Sequence, residues 1–215
     1  MAHYDLEEQE QLSQLKAWWE QNGKYVTGLI VAAAVASVSW QGWNWYQNKK
    51  ADEAAGLYYV LHQAAGAGEA ARARDAAGQL VEGYSGSAYA TMGALLSAAA
   101  QVDGGDVRNA RAQLEWVMKN ADEAVVRDLA RLRLGILMFD EGDLDGALAQ
   151  LSAAPHEALR ARYADVRGDV LFAAGRRAEA REAYQEVLNA LGDEQSQAVE
   201  MVRSITRVKL ESLEG

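Results

Sequence analysis

The sequence predicts an all-α protein: a single N-terminal transmembrane helix, then a solenoid of helical hairpins ending in a C-terminal capping helix. Three observations carry this. Residues 25–48 contain no charged side chain. Downstream, three stretches repeat the order helix, glycine turn, helix. The composition is rich in Ala, Leu, Arg and Glu with only 1 proline, residues that favour helix and leave little to break it.

Residues 25–48 define the first element. At about 1.5 Å rise per residue, a helix of this length crosses the roughly 30 Å hydrocarbon layer. Its centre, residues 26–39, is apolar and rich in small side chains, and Lys24, Lys49 and Lys50 bound the run. Aromatics crowd both edges: Trp18, Trp19 and Tyr25 before it, Trp40, Trp43, Trp45 and Tyr46 at its end. All but one of the chain's 6 tryptophans lie in or beside this segment. Indole prefers the membrane–water boundary, where ring and N–H are both accommodated. A cleaved signal peptide would begin basic and end at small residues. Here residues 1–24 are acidic on balance, with Asp5, Glu7, Glu8, Glu10 and Glu20 against Lys16 and Lys24, and tryptophans follow the apolar core. The helix is an anchor, and a soluble core helix would leave the tryptophan belts unexplained. Counting Lys and Arg near the two ends gives Lys16 and Lys24 against Lys49 and Lys50, so charge alone leaves orientation open.

Residues 51–215 are long enough for one domain with a real core. Most of the net charge of −10 falls there, which disfavours a nucleic-acid partner. The absence of cysteine excludes disulfides and thiolate metal sites. The repeats occupy about residues 87–120, 125–153 and 156–191, with turn glycines at Gly105, Gly142 and Gly175. Seven residues before each glycine stands Ala98, Gly135 or Gly168. Five residues after it stands Ala110, Ala147 or Ala180, and four further on Leu114, Leu151 or Tyr184. A small residue, an alanine and a bulky residue at fixed offsets, with a period near 34, resemble the tetratricopeptide repeat. Asp106 and Asp143 suit the N-cap of each second helix, whereas Arg176 makes a weaker cap. An ordinary helical bundle in an alanine-rich chain is the plainer alternative. Residues 51–65 and 69–82 form a further helical pair too degenerate to name as a repeat. Residues 194–213 form a last helix, expected to turn one polar face outward and end the stack.

No catalytic chemistry is legible. His3, His62 and His156 lie in separate segments without metal-ligand spacing, no glycine-rich phosphate loop follows a strand, and no cofactor is expected. Acidic pairs at Glu141 and Asp143 flank a turn and cap it. A binding role remains. In tetratricopeptide arrays the first helix of each repeat lines the concave face, which selects Met92, Leu95 and Val102, then Leu129, Leu132, Ile136 and Phe139, then Arg162, Asp165, Asp169 and Phe172. These form an open groove for an extended or helical segment, or are buried as so short an array curls on itself. In the anchor, Gly28, Ala32 and Ala36 form a small-residue stripe that permits close helix packing in lipid. Leu12, Leu15 and Trp19 recur at helical spacing, either as an interfacial helix or as the lead-in of the anchor.

Taken together, the acidic tail, residues 15–24 (LKAWWEQNGK), an anchor closing on residues 40–45 (WQGWNW) and repeats opening at residues 84–90 (YSGSAYA) resemble the YfgM family, ancillary subunits of the bacterial Sec translocon. The resemblance covers essentially the whole chain. It implies a single-pass inner-membrane protein, with the N-terminal tail cytosolic and the repeats periplasmic. The implied partners are the SecYEG channel, a PpiD-like periplasmic chaperone of the prolyl-isomerase class, and secreted client chains emerging from the channel, with lipid around the anchor. Two other functions fit the same sequence: a membrane-tethered stress regulator working through its acidic tail, and a generic scaffold for envelope assembly.

Overall fold

The computed structural model describes residues 6–192 and 195–213; Asp5, His3 and the start of the expected capping helix at residue 194 lie outside them. Among the described residues the chain is helical without strands. The helices are α1 (Leu6–Gly66), α2 (Ala70–Gly83), α3 (Ala88–Asp103), α4 (Val107–Asn120), α5 (Ala124–Asp140), α6 (Leu144–Leu151), α7 (Arg160–Ala173), α8 (Arg177–Leu191) and α9 (Gln197–Ser212), with a 3-10 turn at Glu157–Leu159. Two compact units divide the chain, Met1–Asp52 and Glu53–Gly215.

The first unit is the long run of α1. Its apolar stretch is long enough to cross a membrane, and the protein buries none of it. Val31, Val35, Val38 and the edge tryptophans are exposed, as suits side chains that meet lipid. Each bounding lysine lies over an aromatic ring: Lys24 Nζ is 5.0 Å from the Tyr25 centroid, Lys49 Nζ 5.8 Å from Trp45 and Lys50 Nζ 5.3 Å from Tyr46. These cation–π pairs join charge and ring at the two ends of the apolar run. Residues 6–24 are helical too, so the tail containing Leu12, Leu15 and Trp19 is helical lead-in.

The second unit starts in the last turns of α1 and repeats one turn chemistry four times. Gly68, Gly105, Gly142 and Gly175 all have positive φ, from +72° to +83°, the left-handed region that costs a residue with a Cβ about 1–2 kcal/mol. The N–H after each glycine returns to a carbonyl of the preceding helix: Glu69 to Ala64 at 2.9 Å, Asp106 to Gln101 at 2.7 Å, Asp143 to Met138 at 2.9 Å and Arg176 to Leu171 at 2.9 Å. This closure satisfies the last carbonyls of one helix and sends the chain back as the next. Asp106 and Asp143 then cap α4 and α6 by accepting from Asn109 and Gly146 N–H, while Arg176 gives α8 no side-chain cap.

Close packing beneath these turns holds each hairpin. Ala110, Ala147 and Ala180 are fully buried, and so nearly are Leu114, Leu151 and Tyr184. A Cβ on Gly135 would stand 3.1 Å from Leu151 Cγ, and one on Gly168 would collide with the Tyr184 ring. Burying a Leu in this way contributes roughly 1.5–3 kcal/mol. In the first hairpin the sizes are exchanged: bulky Leu61 occupies the small-residue offset and Ala77 the bulky one, both fully buried in one cluster. Gly93 on α3 makes room, since a Cβ there would lie 2.7 Å from Leu80 Cδ1 and 3.1 Å from Leu61 Cδ2. Successive hairpins stack through α2 on α3, α4 on α5, α6 on α7 and α8 on α9.

Two alanine substitutions separate turn geometry from helix propensity. Gly142→Ala, at φ +83°, is expected to lower unfolding stability by about 1–2 kcal/mol. Gly78→Ala, mid-helix with open space around a new Cβ, is expected to raise it by about 0.5–1 kcal/mol. Urea titration of the detergent-solubilised chain, followed by circular dichroism, measures both.

Candidate protein-interaction surface

The first helices of adjacent hairpins lie side by side, tied where Arg133 Nη1 donates to the Leu95 carbonyl at 3.1 Å. Between α3 and α5 runs a cleft of about 210 Å³. Val102 and Ile136 form its walls, Leu114 and Leu137 its floor, and Asp103, Arg133 and Asp140 its rim. Met92 and Val102 are exposed, Leu129, Ile136 and Phe139 half-buried, and Leu95 and Leu132 buried in the core. Those last two therefore support the wall from beneath. An apolar trough with charged edges suits an apolar side chain whose backbone or flanks remain polar.

The third repeat is arranged differently. Phe172 and Arg162 are exposed, but Asp165 is buried and Asp169 half-buried. Lys209 on α9 donates to Asp165 Oδ1 at 2.6 Å and to Asp169 Oδ1 and Oδ2 at 2.7 and 2.8 Å. Arg162 reaches the other oxygen of Asp165 at 2.8 Å, and Tyr184 donates to Asp169 Oδ1 at 2.8 Å. Two carboxylates, two cations and a phenol thus satisfy one another, as buried charges must. Burial works to lower the Lys209 pKa, but its hydrogen bonds to Asp165 and Asp169 outweigh it, and the pKa is raised. Burial first, then the hydrogen bond to Asp169, pushes the Tyr184 phenol well above its usual range. Tyr163, half a turn from this cluster, is pushed up to about 12 by burial and the Asp128 charge, its hydroxyl donating to the Asp128 carbonyl at 2.8 Å. Here α9 is latched to the repeats, and the charged side chains serve that latch.

In the anchor, Gly28, Ala32 and Ala36 are all exposed, and nothing approaches within 4 Å of a Cβ built on Gly28. Trp18, Trp19, Trp40, Trp43 and Trp45 are exposed as well. Trp19 lies over Gly23, where an added Cβ would come within 3.1 Å of the indole Nε1. Among the described residues no group of His, Asp and Glu is placed to hold a metal ion. Sequence reasoning missed the Lys209 cluster; its only signal was a lone lysine in a helix facing two acids one turn apart on α7.

Stacked two-helix hairpins, each turned by a left-handed glycine and locked by a small-against-large contact, define a tetratricopeptide-like array carried on an apolar N-terminal helix. The chain belongs to that family: the tetratricopeptide repeat-like domain family matches residues 16–215. Its relatives include proteins named Ancillary SecYEG translocon subunit. The one from Haemophilus influenzae is 26% identical over 98% of this chain and 99% of its own length. That from Neisseria gonorrhoeae is 27% identical over 97% and 98%, and that from Escherichia coli 25% over 83% and 85%. The resemblance to the YfgM family therefore holds along nearly the whole chain.

Removing the latch cation tests its role. Lys209→Met is expected to cost about 1–3 kcal/mol, because it leaves buried acceptors without their charged donor. A raised lysine pKa gives stability that is fully present below the unfolded value and lost as pH rises through the folded one. The difference between Lys209→Met and the parent in urea midpoint should therefore hold from about pH 7 to about pH 9, then shrink above the ordinary lysine value of about 10.4.

Proposed function

We propose that this chain is a non-catalytic, membrane-anchored subunit of the Sec translocon, with its N-terminal tail in the cytosol and its repeats in the periplasm. The observation that carries the reading is the near end-to-end relationship to proteins named as ancillary SecYEG subunits. On this reading the Gly28, Ala32 and Ala36 stripe packs against a helix of the channel or of a PpiD-like chaperone, where small residues let backbones approach. The cleft between α3 and α5 takes an apolar side chain from that chaperone or from an emerging client. Two features support the cleft as the contact: its apolar walls at Val102 and Ile136, and its charged rim at Asp103, Arg133 and Asp140. In the third repeat Phe172 is exposed, while Asp165 and Asp169 are engaged by Lys209.

Site-specific photocrosslinking in inner-membrane vesicles checks this. A photoreactive residue at Val102 or Ile136 is expected to trap a chaperone or a translocating chain, and one at the exposed Glu182 on α8 to trap neither. Equal capture from both faces, or none from the cleft, would remove the cleft from the account. Separately, Ala32→Leu should fill the stripe and reduce co-purification with SecYEG in mild detergent by about tenfold, a loss of about 1.4 kcal/mol. Ala34→Leu, on the opposite face of the same helix, should leave co-purification unchanged.

A further inference from the structure

The cleft between α3 and α5 carries its charge unevenly. α3 ends on Asp103 and α5 on Asp140, and both residues stand on its rim. They share one repeat position, two residues before the turn glycines Gly105 and Gly142, where the third repeat has Ala173. A helix C-terminus carries partial negative charge, so a carboxylate there is unfavourable and a cation favourable. Neither helix has a basic residue in its last turn. Other acids of the same turns do find cations: Asp106 meets Arg74 at 3.6 Å, and Glu141 meets Arg111 at 2.7 Å. Among the described residues, nothing hydrogen-bonds or ion-pairs with the side chains of Asp103 and Asp140. Arg133, the cation on the rim, stands seven residues before Asp140, about 10 Å back along α5. It donates to the Leu95 carbonyl at 3.1 Å.

We propose that the cleft is a two-part seat for an extended segment of a partner polypeptide. An apolar side chain enters between Val102 and Ile136, and a lysine or arginine beside it meets Asp103 and Asp140. This deepens the reading of the cleft as the contact surface and rests on it. Charge complementarity decides the occupant. The two carboxylates are unfavourable where they stand, an incoming cation relieves that, and an acidic segment meets repulsion. Spacing decides the sequence. Asp140 lies four residues beyond Ile136, about 6 Å along α5. In an extended segment the side chains on one face recur every second residue, about 7 Å apart. The cation therefore stands two residues from the apolar side chain. The same carboxylates disfavour an anionic lipid surface as the occupant.

Photocrosslinking peptides test this on the full-length chain in mild detergent. Short Gly/Ser peptides carry one photo-leucine, followed two residues on by lysine, serine or glutamate, and mass spectrometry maps the labelled residues. At low salt the lysine peptide should label α3 and α5 around Val102 and Ile136 about fivefold more than the serine peptide. That is the scale of one or two exposed ion pairs. The glutamate peptide should label least, and high salt should level the three. Asp103→Asn with Asp140→Asn should abolish the lysine preference and leave serine-peptide labelling unchanged, with helicity unchanged by circular dichroism. Asp103→Lys with Asp140→Lys should invert the preference in favour of glutamate. Equal labelling of the cleft by all three peptides would overturn the charge assignment while leaving the cleft as a contact. A lysine preference that survives the paired Asn substitutions would overturn it too. Labelling by none of the peptides at the cleft would overturn the cleft reading itself, and this proposal with it.

Discussion

Everything in the repeat unit depends on two helices approaching closely enough for a small residue to seat a large one. An extra carbon on Gly168 would collide with the Tyr184 ring, and one on Gly135 would press on Leu151 at 3.1 Å. That contact sets how closely the two helices of a hairpin approach, and the left-handed glycine closes the turn between them. Turn glycines tolerate exposure and solvation, whereas a lost seat displaces a bulky side chain at the centre of a tightly packed interior. Because each hairpin stacks on the next, the curvature that opens a trough between α3 and α5 is set by these same contacts.

The same constraint explains how far the sequence could be read. Offsets from Gly105, Gly142 and Gly175 located three hairpins, because there the small residue precedes the turn and the bulky one follows it. At Gly68 the pattern is inverted, with Leu61 before and Ala77 after, so a template with fixed sizes at fixed offsets passes over it. What survives the exchange is the turn itself, with φ +72° at Gly68 and a 2.9 Å return bond from Glu69 to Ala64. Volume is shared between two positions, and only their sum is constrained. A single sequence displays the positions and not the sum.

The interaction surface was less legible still. First-helix positions were selectable by periodicity, but periodicity cannot separate an exposed wall residue such as Val102 from a buried one such as Leu132. Nor could it foresee that Asp165 and Asp169 would meet a lysine forty residues downstream, since long-range ion pairs leave no local pattern. The general need of arrays for a polar end suggested a cap; α9 packs on α8 as the last helix, and Met201, Ile205 and Val208 stand exposed among its polar residues. The anchor was the easiest element, because lipid imposes length, lack of charge and edge aromatics together on one contiguous segment.

In the proposed topology the anchor separates the acidic tail from the repeats, which lie on the far side of the membrane. Cysteine labelling in intact cells, with a thiol reagent unable to cross the inner membrane, tests it most directly. Ser13 and Ser85 are both exposed and can each be replaced by cysteine in a chain that otherwise has none. The account predicts labelling at Ser85→Cys and protection at Ser13→Cys until the cells are opened. The reverse pattern would put the repeats in the cytosol, away from any emerging chain, and would contradict it.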